Sequence, residues 1–302
     1  MAPLWSLWPT DPRAFTLDDE FILGGFANGG ALLVAPVVTE VASKLQTAKV
    51  YFPHGVWYDV RTTAINGRGT YGTRYEAPSA GLDASVPLDV EEVPTFQHGG
   101  VVVPRKMRLR RSSALMHHDP YTLVVALDAN AHAEGELCVC RERDRRTPSL
   151  PRPRNGPATR YRASFLPPSL PPSLTLPPFP SFLDDEISQS PLYRRRKFAF
   201  SAVGGASEEV GPWTFTGRAA PGHEGATGWS PTNTVERVVV LGFASAPTSV
   251  VLPGTASQGD TALTFVYDAA AKALTIRKPN VAVAADFTLL ISGGSASTTS
   301  SQ

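Results

Sequence analysis

Cysteine is almost missing from this chain: Cys138 and Cys140 are the two it has, in a Cys-Val-Cys pattern. Strand residues i and i+2 share a face about 6.5–7 Å apart, at or beyond the reach of a disulfide. Two sulfurs with no histidine pair beside them also fall short of a structural zinc site. Both are therefore read as thiols outside any bridge or metal centre. No apolar run approaches the ~20 residues that a helical membrane span needs. A surplus of one charge is lacking too, with 28 Lys and Arg against 27 Asp and Glu, a net charge of +1. Nucleic acid and other polyanions are thus not expected partners. The one basic run, Arg194-Arg195-Arg196-Lys197, leads into Phe198-Ala199-Phe200 and reads as the solvated start of a strand. No basic n-region followed by an apolar h-region opens the sequence and no retention tetrapeptide closes it, so a lumenal address is expected to lie elsewhere.

Familiar catalytic patterns are absent as well. No His-x-x-x-His, Gly-x-Ser-x-Gly or phosphate-loop Lys-Ser/Thr occurs. His117-His118-Asp119 hints at metal, but adjacent side chains on a strand point to opposite faces. Asp18-Asp19-Glu20 reads as the N-terminus of a short helix capped by Thr16, and Glu91-Glu92 as a solvated pair. Asp184-Asp185 reads as a turn in preference to a calcium site.

What is present is β structure. Ala31 to Val38, Lys49 to Phe52, Val56 to Val60, Val101 to Val103, Tyr121 to Leu127 and Gly135 to Val139 are short β-branched or aromatic runs between Gly/Pro turns. That is the pattern of an antiparallel sandwich. A second block begins near Phe198 and includes Val235 to Leu241, Ser249 to Leu252, Leu263 to Tyr267, Ala273 to Arg277 and Phe287 to Ile291. Between the blocks, 141–181 opens with dense arginine and continues through repeated Pro-Pro pairs. Proline removes amide donors and fixes φ, so neither ladder nor helix runs through it. It reads as a disordered or polyproline-II insert, with an SH3-type ligand as the alternative.

Several ordered segments resemble glycoside hydrolase family 31. Pro3-Leu4-Trp5, Pro9, Asp11, Phe15 and Asp19-Glu20-Phe21-Ile22-Leu23-Gly24 are similar to the end of its catalytic barrel. Ala31-Leu-Leu-Val-Ala-Pro-Val37, Val50 to Asp59 with its Trp-Tyr-Asp, and Pro94-x-Phe96-x-x-Gly99-Gly100-x-x-x-Pro104 resemble its proximal C-terminal β-domain. Met107 to Ser113, Asp119-Pro120, Val125-Ala126-Leu127, Glu236 to Gly242 and Ile276-Arg-Lys-Pro279 resemble the glucosidase II catalytic chains within that family. There are departures. Gly25 to Gly30 is longer than the family's turn and lacks its acid, and the insert separates Gly135-Glu136-Leu137 from Leu183-Asp184-Asp185, two halves of one family strand–turn unit. The insert is accordingly either translated non-coding sequence or a lineage-specific loop.

The resemblance implies a mainly β chain. A remnant of a (β/α)8 barrel (1–30) precedes a proximal sandwich (31–140 and 182–197) that the insert 141–181 interrupts. A distal sandwich (198–294) and a disordered tail (295–302) follow. In the complete enzyme it implies retaining hydrolysis of α-linked glucose from N-glycans in the endoplasmic reticulum lumen. The partners it implies are carbohydrate, through the missing barrel, and a β-type regulatory subunit. The family nucleophile is the Asp of Trp-x-Asp-Met-Asn. Here Trp57-Tyr58-Asp59 runs on into Val60-Arg61, so no catalytic, cofactor or metal residue is assigned and the chain alone is expected to be inactive. The alternative is a carbohydrate-binding or subunit-docking module. For sugar contact Trp213 and Trp229 are the candidate aromatics, with core packing the competing role for both.

Overall fold

A computed structural model describes residues 1–24, 30–38, 45–61, 64–65, 68–69, 71–89, 92–140, 181–183, 193–203, 211–221, 231–254 and 259–293. Up to His98 the strands are β1 (Ala2–Pro3), β2 (Phe21–Leu23), β3 (Leu32–Val34), β4 (Leu45–Phe52), β5 (Gly55–Asp59), β6 (Ala64–Ile65), β7 (Arg68–Gly69), β8 (Arg74–Ala77), β9 (Leu82–Asp89) and β10 (Thr95–His98). One antiparallel sheet runs β1-β2-β3-β10-β5-β8, and β4 and β9 form a separate ribbon in register from Leu45↔Asp89 to Phe52↔Leu82. The Pro53-His54 turn thus carries the chain from ribbon to sheet and closes no hairpin. Ile22, Leu33, Trp57 and Phe96 from the sheet meet Val50, Phe52 and Val86 from the ribbon in one buried cluster.

Residues read as the barrel's end supply β1 and β2 of this sheet. The short helix expected there, capped by Thr16, is instead a 3-10 turn over Pro12–Thr16. Asp11 is its cap: the carboxylate accepts from the Arg13 amide at 2.9 Å, and Pro12 suits the first position because its missing N–H would be an orphan there. Thr16 closes the turn, its hydroxyl donating to the Arg13 carbonyl at 2.8 Å.

Beyond Gly100 come β11 (Val101–Arg105), β12 (Tyr121–Ala126), β13 (Ala133–Cys140), β14 (Ser181–Leu183), β15 (Tyr193–Ala202), β16 (Trp213–Ala219), β17 (Thr234–Leu241), β18 (Pro247–Leu252), β19 (Thr261–Ala262), β20 (Thr264–Asp268), β21 (Ala273–Ala282) and β22 (Phe287–Gly293). They make one sheet ordered β19-β18-β22-β16-β15-β13-β11-β12-β17-β21-β20, with β14 beside β13. Its two ends meet at Leu263. β19 pairs with β18, β20 pairs with β21, and the Leu263 amide between them donates to the Val250 carbonyl at 2.8 Å. The sheet therefore curls onto itself around Phe198, Phe200, Trp213, Phe215, Leu274 and Leu289.

The expected grouping of 31–140 as one sandwich divides at Gly99–Gly100. β12 and β13, which flank β11, pair with β17 and β15 from the far side of the insert, and β15 runs unbroken across the expected 197/198 boundary. A run such as Leu123-Val124-Val125 states that it is a strand, while its partner is set by which faces must be covered. The two units share a layer. β5 sends Trp57 into the first core, and Val56 and Tyr58 onto Val124, Ala126, Val239 and Leu241. Period-two alternation with apolar residues in both phases buries both faces of β5, β12 and β17.

Candidate functional site

The buried carboxyl groups come first, because a glycosidase needs two of them facing a cavity. Asp59 ends β5 with no exposure. Its oxygens accept from Arg61 Nε at 3.0 Å and Nη2 at 2.5 Å, while Arg61 Nη1 donates to the Pro87 carbonyl at 2.8 Å. Glu92, expected to be solvated, is buried instead and lies 3.5 Å from Arg61. A guanidinium enclosed by two carboxylates and an aromatic face (Phe96, 5.8 Å) is held in its charged form. The three side chains form an ionic cluster shielded from solvent, in which both Glu92 oxygens lack a hydrogen bond.

Glu20 is the second. Instead of opening a helix it is 6% exposed, two residues before the core residue Ile22 and on its side of the chain. One oxygen accepts from the Tyr51 amide at 2.9 Å and the other is buried without a partner. Burial pushes its pKa up to about 7. Tyr51 also donates its hydroxyl to Asp11 at 2.6 Å, so the 11–20 segment is tied to β4 at two points. The third is Asp119, which accepts a fork from Arg110 at 2.9 and 2.7 Å and is held below the usual carboxylate range by it. His117-His118-Asp119 lies in a turn after a 3-10 helix and not on a strand.

Among the described residues no three His, Cys, Asp or Glu side chains are grouped to hold a metal ion. A shallow, open pocket of about 270 Å³ is lined by Gly99, Gly100, Asp128, His132 and Glu134. Asp128 there serves its own turn, accepting from the Asn130 and His132 amides at 2.9 Å, and Glu134 pairs with Lys197 at 2.7 Å. The basic run is likewise absorbed by the sheet. Arg195 pairs with Glu136 at 2.5 Å, and the buried Arg196 with Asp286 at 2.8 Å.

Of the two sugar-contact candidates, Trp213 sits in the second core at 1% exposure, edge-on to Phe243 at 4.6 Å. That packing leaves no ring face for a ligand. Trp229 lies outside the described residues, as do 141–180 and Asp184-Asp185. The exposed aromatics are at the other end of the chain. Trp5 and Phe15 are 46% and 56% exposed and stack on each other at 6.1 Å. On β2, Ile22 turns inward and Leu23 outward, with Leu23 opposite Leu32. Trp5 and Phe15 thus make an exposed apolar pair.

The sequence pattern of the glycosyl hydrolase family 31 C-terminal domain matches residues 1–103. Neutral alpha-glucosidase AB of Mus musculus is 30% identical over 295 residues, 96% of this chain. This chain belongs to glycosyl hydrolase family 31. The match with a probable glucan 1,3-alpha-glucosidase of Arabidopsis thaliana, 29% identical over 96% of the chain, accords with that. The family 31 chain spans about a quarter of its curated relatives, 23% of the mouse protein. A crystal structure titled as the ER glucosidase II heterodimer, of catalytic subunit and regulatory-subunit binding domain, shares the fold. It has a TM-score of 0.60 and 24% identity, over 96% of this chain and 25% of that one. The family pattern ends at residue 103, within β11, just past the Gly99–Gly100 passage from the first unit to the curled sheet.

Proposed function

We propose that this chain is the C-terminal β-region of a glucosidase II-like α-glucosidase and braces the catalytic barrel without cleaving a glycosidic bond itself. The parent reaction is retaining hydrolysis of α-linked glucose from N-glycans in the endoplasmic reticulum, with a β-type regulatory subunit as partner. One observation carries the reading: the solvent-facing Trp5–Phe15 stack lies on the segment that resembles the end of the barrel, and water rewards covering such a face. The hydrogen-bonded forks that Arg61 and Arg110 place on Asp59 and Asp119 support the second half, because a carboxylate locked against a guanidinium neither attacks nor protonates a glycoside.

The test is reconstitution. The barrel of a family 31 relative, expressed without its own β-domains, is mixed with this chain. Association and recovered hydrolysis of a chromogenic α-glucoside are expected, with none from the chain alone. Turnover by the chain alone overturns the reading, as does failure to associate.

A further inference from the structure

The connection from β11 to β12, residues 106–120, is long for a hairpin and holds one 3-10 helix, Ser113–Met116. It is also pinned. Lys106 Nζ donates to the carbonyls of Met116 at 2.9 Å and His117 at 2.8 Å, and sits 4.9 Å over the Tyr121 ring. Arg110 forks onto Asp119, and Arg108 reaches Glu236 at 2.8 Å. From the start of β17, Asn233 donates to the carbonyls of His117 at 2.8 Å and Asp119 at 2.9 Å.

A loop tied at this many points would be expected to turn its apolar side chains inward. It does the reverse: Leu109 is 99% exposed, Met107 41% and Leu115 59%. The ties hold Leu109 out in water. An apolar side chain presented on a fixed backbone loses little conformational freedom when bound, which is the economy of a pre-organised anchor. Charge surrounds it. Arg108 and Arg110 are matched by Glu236 and Asp119, whereas Arg105 reaches only the Val60 carbonyl and Arg111 makes no ion pair among the described residues. The anchor therefore stands in surplus positive potential.

We propose that the 106–119 loop is a docking surface for a protein partner that offers an apolar pocket rimmed by carboxylates, with Leu109 as the central anchor. A pocket suits this geometry better than an anionic bilayer. One isolated side chain filling a pocket makes a hot spot, while membrane binding needs a broad apolar face. The choice of probe rests on the regulatory-subunit reading above.

The full chain, unsubstituted and as Leu109→Asp, Arg111→Glu and the control Leu290→Asp, is titrated against the glucosidase II regulatory-subunit binding domain at two salt concentrations. Thermal melting reports whether each variant folds. Leu109→Asp is expected to weaken binding at least tenfold and Arg111→Glu severalfold, chiefly at low salt, while Leu290→Asp, on β22, is unchanged. Equal binding by folded Leu109→Asp overturns the surface assignment alone. No binding by the unsubstituted chain overturns both the surface and the regulatory-subunit reading, leaving barrel association to be judged by reconstitution. Retention on phosphatidylserine vesicles that Leu109→Asp abolishes, without loss of protein binding, overturns it in favour of lipid.

Discussion

The backbone amide of Tyr51 donates to the carboxyl of Glu20 at 2.9 Å, and among the described residues it is the one hydrogen bond that this buried acid receives. Desolvation outweighs that bond and holds the Glu20 pKa at about 7, against 4.5 for the free group. The folded chain therefore grips the proton more tightly than the unfolded chain. The stability this confers is complete below pH 4.5, drains away as pH rises to about 7, and is flat above. Its size is on the order of 3 kcal/mol. Denaturant unfolding at pH 5 and pH 8 should show the loss, and Glu20→Gln, which keeps an acceptor for Tyr51 and carries no charge, should remove it. An equal pH dependence in both proteins counts against Glu20 as the source.

Asp59→Asn leaves the Arg61 guanidinium buried with only the more distant Glu92 as counter-charge. Stripping one member from a buried pair costs about 3–5 kcal/mol. A fall in the urea midpoint of that scale is expected. A shift under 1 kcal/mol would mean that water enters the cluster.

Gly242 sits at φ +82°, and a β-carbon there would stand 2.1 Å from the Tyr58 hydroxyl. That hydroxyl donates to the Leu127 carbonyl at 2.8 Å across the junction of the two units, and burial raises its pKa to about 12. Gly242→Ala should cost about 2–4 kcal/mol, from backbone strain and a displaced tyrosine together. Combining it with Tyr58→Phe should recover part of the loss, a coupling that a double-mutant cycle measures.

Trp213 tests packing against recognition. Its indole N–H is buried without a partner, so Trp213→Phe should cost less than about 1.5 kcal/mol, while Trp213→Ala should cost about 3–5 kcal/mol. Any binding of maltose or nigerose seen by calorimetry should survive Trp213→Phe. Its abolition would return the residue to the sugar-contact role.

Strands were plain in the sequence where β-branched residues run together, as in β12 and β17. Their partnership was not: they lie side by side in parallel, Thr122 against Arg237, over one hundred residues apart. Nothing local encodes such a pairing, because each strand is apolar on both faces and satisfies several arrangements equally. Asp18-Asp19-Glu20 misled for a related reason. Three acids in a row suggest solvent, and only the phase of Ile22 two residues later turns Glu20 inward. Asp11 was passed over as a cap because Thr16 stood nearer the acids that seemed to need one. Leu109 was hidden in a motif that spoke for kinship, since exposure is a property of the fold and not of the residue.

The meeting of β19 and β20 at Leu263 has a consequence for the chain when it is separated from a barrel. Where those two ends join, a stray strand finds no rim on which to zip, and among the described residues the three-residue β14 is the strand that lies off the closed path. The outer strands of the smaller sheet, β1 and β8, are two and four residues long, which leaves the eight-residue strands of the β4–β9 ribbon as the longer edges among the described residues. Clumping of the isolated protein through the greasy side chains of Trp5 and Phe15 should be reversible in mild detergent and silent to thioflavin, whereas a thioflavin-positive fibre should trace to the β4–β9 ribbon.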